Sequence, residues 1–151
     1  MEKVSIFDVA DYYLSKGSMT HKKLQKLCYY TKAWALALYD EDIMPDYQFE
    51  AWVHGPVNPE LYEKYKGYGR KEIEEKPSNK TFSADLVGLM EDVWYAYADL
   101  SGDALEALTH SEAPWKNARH GLKTEESGWK AISNKDMHDF YLEQYHHEQG
   151  E

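Results

Sequence analysis

Apolar positions recur at helical spacing along most of the chain. Ile6, Val9, Ala10 and Tyr13 share one face of a helix predicted from Ile6 to about Lys16. Ser5 stands at its N-cap, with Asp8 three residues on as an Asp version of the capping box and Val4 and Val9 at staple spacing. Gly17 stops it. The clearest pattern runs from 20 to 39, where Leu24, Leu27, Cys28, Thr31, Trp34, Ala35 and Leu38 follow a 3.6-residue period behind a Thr20 cap. From Trp34 to Leu38 this helix is apolar nearly all round, which predicts a central, buried element. Asp40 to Asp46 reads as an acidic loop.

Shorter signals follow. Phe49 to Val53 reads as an extended piece, and His54, Gly55 and Pro56 as a fixed turn. Asn58 with Pro59 opens a helix carrying Leu61, Tyr62 and Tyr65, stopped by Gly67 and Gly69. Residues 70–81 form a polar excursion with one short edge strand near Ile73. Ser83 starts a long helix with Leu86, Leu89, Met90, Val93, Trp94 and Tyr97 on its apolar face. After Gly102 comes a helix from Asp103 to about Thr109, then a connector, and then loop from Gly121 to Gly128. Ser133 with Asp136 opens a last helix bearing Met137, Phe140, Tyr141 and Gln144. The expectation is a mainly α, single-domain helical bundle of about six helices over 1–151, with short β elements near residues 49–53 and 73.

Composition narrows the class. At 42% apolar and 15% aromatic, with 13 Tyr and 5 Trp, the 151 residues can build a core. No run of about 18 apolar residues predicts a membrane span, and the start lacks a signal-peptide layout. A single cysteine, Cys28, rules out an intramolecular disulfide. These features point to the cytoplasm. Net charge is −10, yet residues 1–35 hold six Lys against three acids. The acidic remainder opposes docking on a phosphate backbone and suits a basic or mixed-charge partner better.

Chemistry is sparse. His21 and Cys28 share a helix face but sit about 10 Å apart along the axis, too far for one metal. His146 and His147 point different ways, and no HExxH or CxxC motif exists. No metal and no cofactor is expected. Cys28 lies on the apolar stripe as a small core hydrophobe. Gly67-Tyr68-Gly69 lacks the pattern of a phosphate loop. Glu72, Glu74 and Glu75 read as a solvated face. Lys22, Lys23, Lys26 and Lys32, with Tyr29 and Tyr30, raise a nucleic-acid-binding or autoregulatory alternative, although a helix of about 20 residues ending all-apolar makes a poor recognition helix. His54 and His110, each at a fixed turn, raise the less favoured alternative of a small hydrolase.

Two segments carry rigid turns. In THSEAPWKNAR, Thr109 and His110 close a helix, Pro114 starts a new turn, and Trp115 drops onto the core with an indole N–H that needs a partner. Arg119, four residues on, can stack on that ring or pair with an acid. In AWVHGPVNPELYEKYKGYG, Trp52 and Val53 anchor the turn, and Tyr62, Tyr65 and Tyr68 follow. Phenols near glycines and prolines suit either a protein-binding surface or core filling. The scaffold anchors are Trp34, Trp52, Pro114 and Trp115. The candidate partner-binding residues are His54, Gly55, Pro56, Tyr68, Thr109 and His110.

The order of these motifs resembles the Panacea domain family, the phage-associated and SocA-like antitoxins. The resemblance rests on KLQKLCYY at Lys23 to Tyr30, the stretch Trp34 to Tyr39, Trp52 through Val57, Tyr62 to Gly69, and Leu105 to Arg119. It runs from about Val4 to the last helix. It implies protein recognition and no catalysis: binding of a cognate toxin encoded by a neighbouring gene. In one branch of the family, it also implies action as a proteolytic adaptor for an ATP-dependent protease.

Overall fold

In the computed structural model, which describes residues 1–150, the periodicities become seven α-helices and one small antiparallel hairpin. The helices are α1 (Ile6–Leu14), α2 (His21–Tyr39), α3 (Pro59–Tyr65), α4 (Ala84–Tyr97), α5 (Gly102–His110), α6 (Ala113–Ala118) and α7 (Asn134–Glu148). A single 3-10 turn, Lys66–Tyr68, extends α3. The mainly helical expectation holds. The helix beyond the expected six is α6, the short turn that Pro114 opens.

The caps act as their residue types dictate. The side chains of Ser5, Thr20, Asn58, Ser83 and Ser133 accept from Phe7, Lys23, Leu61, Leu86 and Asp136 backbone N–H groups. Ser101 does the same for α5. Glu112, the N-cap of α6, makes no side-chain cap bond. Its carboxylate is engaged elsewhere.

Helix α2 is the axis of the fold. It packs most extensively on α7 and also meets α1, α3, α4, α5 and the hairpin. Partners on every side leave no solvated face through its middle. Gln25, Lys26, Tyr29, Tyr30, Thr31 and Lys32 are therefore buried along with Leu24, Leu27 and Cys28. Of the four lysines behind the nucleic-acid alternative, Lys26 and Lys32 therefore lie in the interior. Lys32 Nζ donates to the carbonyls of Met44 (3.1 Å) and Tyr47 (2.7 Å) and lies 3.4 Å from Asp42, pinning the loop that follows α2.

Strand β1 (Glu50–Trp52) pairs with β2 (Gly55–Val57) in the register Glu50–Val57, Ala51–Pro56 and Trp52–Gly55. The sequence placed only the first strand and assigned Gly55 and Pro56 to the turn. The other edge of β1 bridges to Ala131, with Ala51 N–H donating to Lys130 O and Ile132 N–H to Phe49 O. Ile73 forms an isolated antiparallel bridge with Met19, less than the short strand expected there.

Candidate functional site

The β-hairpin, the end of α5 and the first half of α2 bring five of the six predicted partner-binding residues together. His54 stands at the hairpin tip with its side chain 69% exposed. Its Nδ1 lies 3.2 Å from a carboxylate oxygen of Glu106 on α5. Glu106 also receives Lys22 Nζ at 2.7 Å, and Lys22 reaches Asp103 at 2.9 Å. Burial alone would lift the Glu106 pKa, but the hydrogen bonds from Lys22 and His54 hold it below the ordinary carboxylate value.

Beneath this surface the packing is close. Gly55 has φ +108, a conformation open mainly to glycine. A Cβ there would stand 2.7 Å from Lys26 Cε and 3.1 Å from Thr109 Oγ1. The turn thus closes directly over the end of the Lys26 side chain. Lys26 Nζ has one hydrogen bond, to Pro56 O at a long 3.4 Å. Burial therefore pulls its pKa down to about 7, with Lys22 adding repulsion and Glu106 opposing. Thr109 is buried and donates to Glu106 O at 2.9 Å. Gln25 holds the strand beyond, donating to Asn58 O (3.0 Å) and accepting from Asn58 N–H (2.8 Å).

The connector after α5 clamps the hairpin from the other side. Trp115 is buried and donates its indole N–H to Trp52 O at 2.8 Å. His110 stacks on the Trp115 ring at 3.9 Å, and the Arg119 guanidinium lies over it at 4.9 Å. Burial lowers the His110 pKa. Arg119 also donates to Ala51 O at 2.9 Å and to the carbonyls of Lys123, Thr124 and Glu126. Both partners foreseen for this segment, a stacked Arg119 and an acceptor for the indole, are present. Pro114 is buried at the start of α6.

Two predicted residues lie in other contact sets. Tyr68 meets the Tyr65 ring at 6.1 Å and donates to Glu74 at 3.2 Å. Trp34 donates to Tyr97 Oη at 2.9 Å and packs on Tyr141. There the interior holds a second ionisable group. The Glu112 carboxylate accepts from the hydroxyls of Tyr30 on α2 and Tyr141 on α7, both at 2.8 Å. Tyr29 and Tyr141 hydroxyls lie 3.1 Å apart, and Tyr30 stacks on Tyr97 at 4.0 Å. Burial pushes the Glu112 pKa up to about 7 against the lowering effect of the two phenols.

Glu112, Glu106 and Lys26 are the polar residues that sequence reading did not single out for these sites. Glu112 gave one faint signal, a non-capping residue type at the N-cap before Pro114. Chemically, the histidine–carboxylate pair at the hairpin tip sits on open surface. Thr109, the hydroxyl on the same helix, is turned inward to a main-chain carbonyl. Among the described residues, no group of three or more His, Cys, Asp or Glu could hold a metal. No helix among them is long and apolar enough to cross a membrane.

The family model described as antitoxin SocA-like, Panacea domain, matches residues 24–116. That span covers more than half of the chain, from the start of α2 through the hairpin and α5 to the Pro114–Trp115 pair. No curated protein and no solved structure matches.

Proposed function

This chain belongs to the SocA-like Panacea antitoxin family, and from that premise we propose that it neutralises a toxin by direct protein–protein contact. The observation carrying this reading is the hairpin tip. His54 projects into solvent from a turn whose backbone is fixed on three sides, by Lys26 and Gln25 of α2, by Thr109 of α5 and by Trp115 of α6. A preorganised, exposed turn loses little freedom on binding. His54, with the Glu106–Lys22–Asp103 ion cluster and the accessible part of His110, forms the contact surface in this reading. Gly55, Pro56 and Thr109 serve it from below as shaping residues, and Tyr68, in the 3-10 turn after α3, is a separate candidate contact.

The partner in this reading is a toxin encoded by an adjacent gene and met in the cytoplasm, with 1–151 acting as one Panacea-like domain. A further step, delivery of the bound toxin to an ATP-dependent protease, belongs to the same proposal. The nucleic-acid alternative loses support because two of its four lysines are interior. The test is co-expression: the adjacent gene product should arrest growth alone and lose that effect with this chain. An adjacent product that is harmless alone, or that stays toxic beside this chain at equal abundance, contradicts the antitoxin reading. Toxin half-life with and without this chain, in cells with and without the protease, separates adaptor action from simple occlusion.

A further inference from the structure

Charge and apolar exposure change character on the far side of Trp115. Residues 116–130 expose Lys116, Lys123 and Lys130 against Glu125 and Glu126, with the Arg119 guanidinium buried beneath them, a net +2 in a chain of net −10. Here the surface dips in a depression of about 240 Å³ lined by His110, Trp115, Lys116, Arg119, Leu122 and Thr124. His110 Nε2, on its wall, is buried without a hydrogen-bond partner. Beside it the surface is apolar. Leu122 lies over Gly128, where a Cβ would meet its Cδ1 at 2.7 Å, and is itself 37% exposed. Trp129 follows at 68% exposure. Leu122 and Trp129, one against Gly128 and the other following it, are two exposed apolar side chains on one loop that fill no part of the core.

The position of the patch is fixed. The Arg119 guanidinium ties Ala51 of the hairpin to three carbonyls of the loop, and residues 130–132 are bonded to β1. The patch is therefore continuous, through His110 and Trp115, with the surface under the hairpin tip.

We infer that the loop face formed by Leu122, Trp129 and Lys116 is a docking surface for an acidic partner segment that presents an apolar side chain beside carboxylates. The apolar side chain covers Trp129 and Leu122. The carboxylates meet Lys116. Charge complementarity selects this occupant: the patch is locally basic, whereas most of the remaining surface is acidic and would repel it. The identification of the partner as the toxin rests on the antitoxin reading; the chemistry of the patch does not.

Two measurements test it. The first needs no toxin. A short capped peptide with leucine flanked by glutamates is titrated against the full chain, next to the same peptide with lysines for glutamates. The indole N–H resonance of Trp129, assigned by its loss in Trp129→Phe, is followed. The acidic peptide should shift it, the basic one should not, and salt should weaken the shift. Equal shifts from both peptides, or none at millimolar concentration, overturn the inference. The second is the co-expression assay with Lys116→Glu and Trp129→Ser combined. Both residues are exposed, so the melting temperature should stay at the wild-type value while affinity for the adjacent gene product falls at least tenfold. Wild-type protection by the double variant overturns this surface while leaving the antitoxin reading intact. Failure of the wild-type chain to protect contradicts that reading, and the peptide titration then decides the surface alone.

Discussion

Two ionisable side chains are buried one turn apart along α2, one on it and one against it, and they are solved in opposite ways. Lys26, under the hairpin, has one long hydrogen bond and a glycine pressed against it. Glu112, under α7, has two phenol donors at 2.8 Å. Burial drives both toward a pKa of about 7, Lys26 from above and Glu112 from below. The difference lies in what each group does for its neighbours. The Glu112 carboxylate satisfies two buried hydroxyls and joins α2, α6 and α7. Lys26 satisfies almost nothing; its long stem fills the space beneath the turn. The first is a hydrogen-bonded joint, and the second is packing that carries a charge.

The largest expected effect would break the joint. Glu112→Ala strands the Tyr30 and Tyr141 hydroxyls, and each buried hydroxyl left without its partner costs about 1–3 kcal/mol. Glu112→Gln keeps an acceptor and should cost about 1 kcal/mol. Denaturant unfolding of both variants checks this; equal costs would mean that the carboxylate serves only as volume. Trp115→Ala, on the Lys26 side, should cost about 3–5 kcal/mol through the lost ring and the freed hairpin carbonyl. That is a large part of the roughly 5–15 kcal/mol a domain of this size holds.

Lys26→Met should go the other way. It keeps most of the stem and removes a poorly solvated charge, so stability at neutral pH should be unchanged or rise by about 1–4 kcal/mol. A loss above about 2 kcal/mol would show that the Pro56 contact is a structural hydrogen bond in its own right.

The pH profiles sharpen the contrast. Glu112 is protonated more readily in the folded chain, so its contribution falls as pH rises from about 4.5 to about 7. Lys26 is protonated less readily in the folded chain, so its contribution rises between about 7 and 10.5. At about 1.4 kcal/mol per pKa unit, the ceilings are about 3 and about 5 kcal/mol. Glu112→Gln should flatten only the acid limb and Lys26→Met only the alkaline limb. The check is urea unfolding at pH 5, 7 and 9, and a variant that flattens the wrong limb breaks the assignment.

The same comparison marks what the sequence could reveal. The helices were legible because their apolar faces repeat at 3.6 residues and their caps are local chemistry. Ser5, Thr20, Asn58, Ser83 and Ser133 each cap the helix they precede. The burial of Lys26 and Lys32 could not be read because periodicity on α2 shows one apolar stripe. Whether the other faces are covered depends on α7, the hairpin and α5, which arrive from distant sequence. The role of Glu112 was hidden for the same reason, beyond its faint N-cap signal: its two partners lie 82 and 29 residues away. At the candidate site, the turn at His54 and the Trp115 anchor were readable from Gly, Pro and Trp placement. The inward turn of Thr109 and the exposure of Trp129 were not, since both are decided by contacts between segments.

The smallest expected effect on stability carries the functional claim. His54 is exposed and its contact with Glu106 is solvated, so His54→Ala should change stability by less than about 0.5 kcal/mol. The direct test is thermal unfolding and affinity for the adjacent gene product, measured on wild type and His54→Ala together. The account predicts a melting temperature within about 2 °C of wild type and at least tenfold weaker binding. Binding at wild-type strength by a normally folded His54→Ala chain would contradict the hairpin tip as the recognition surface.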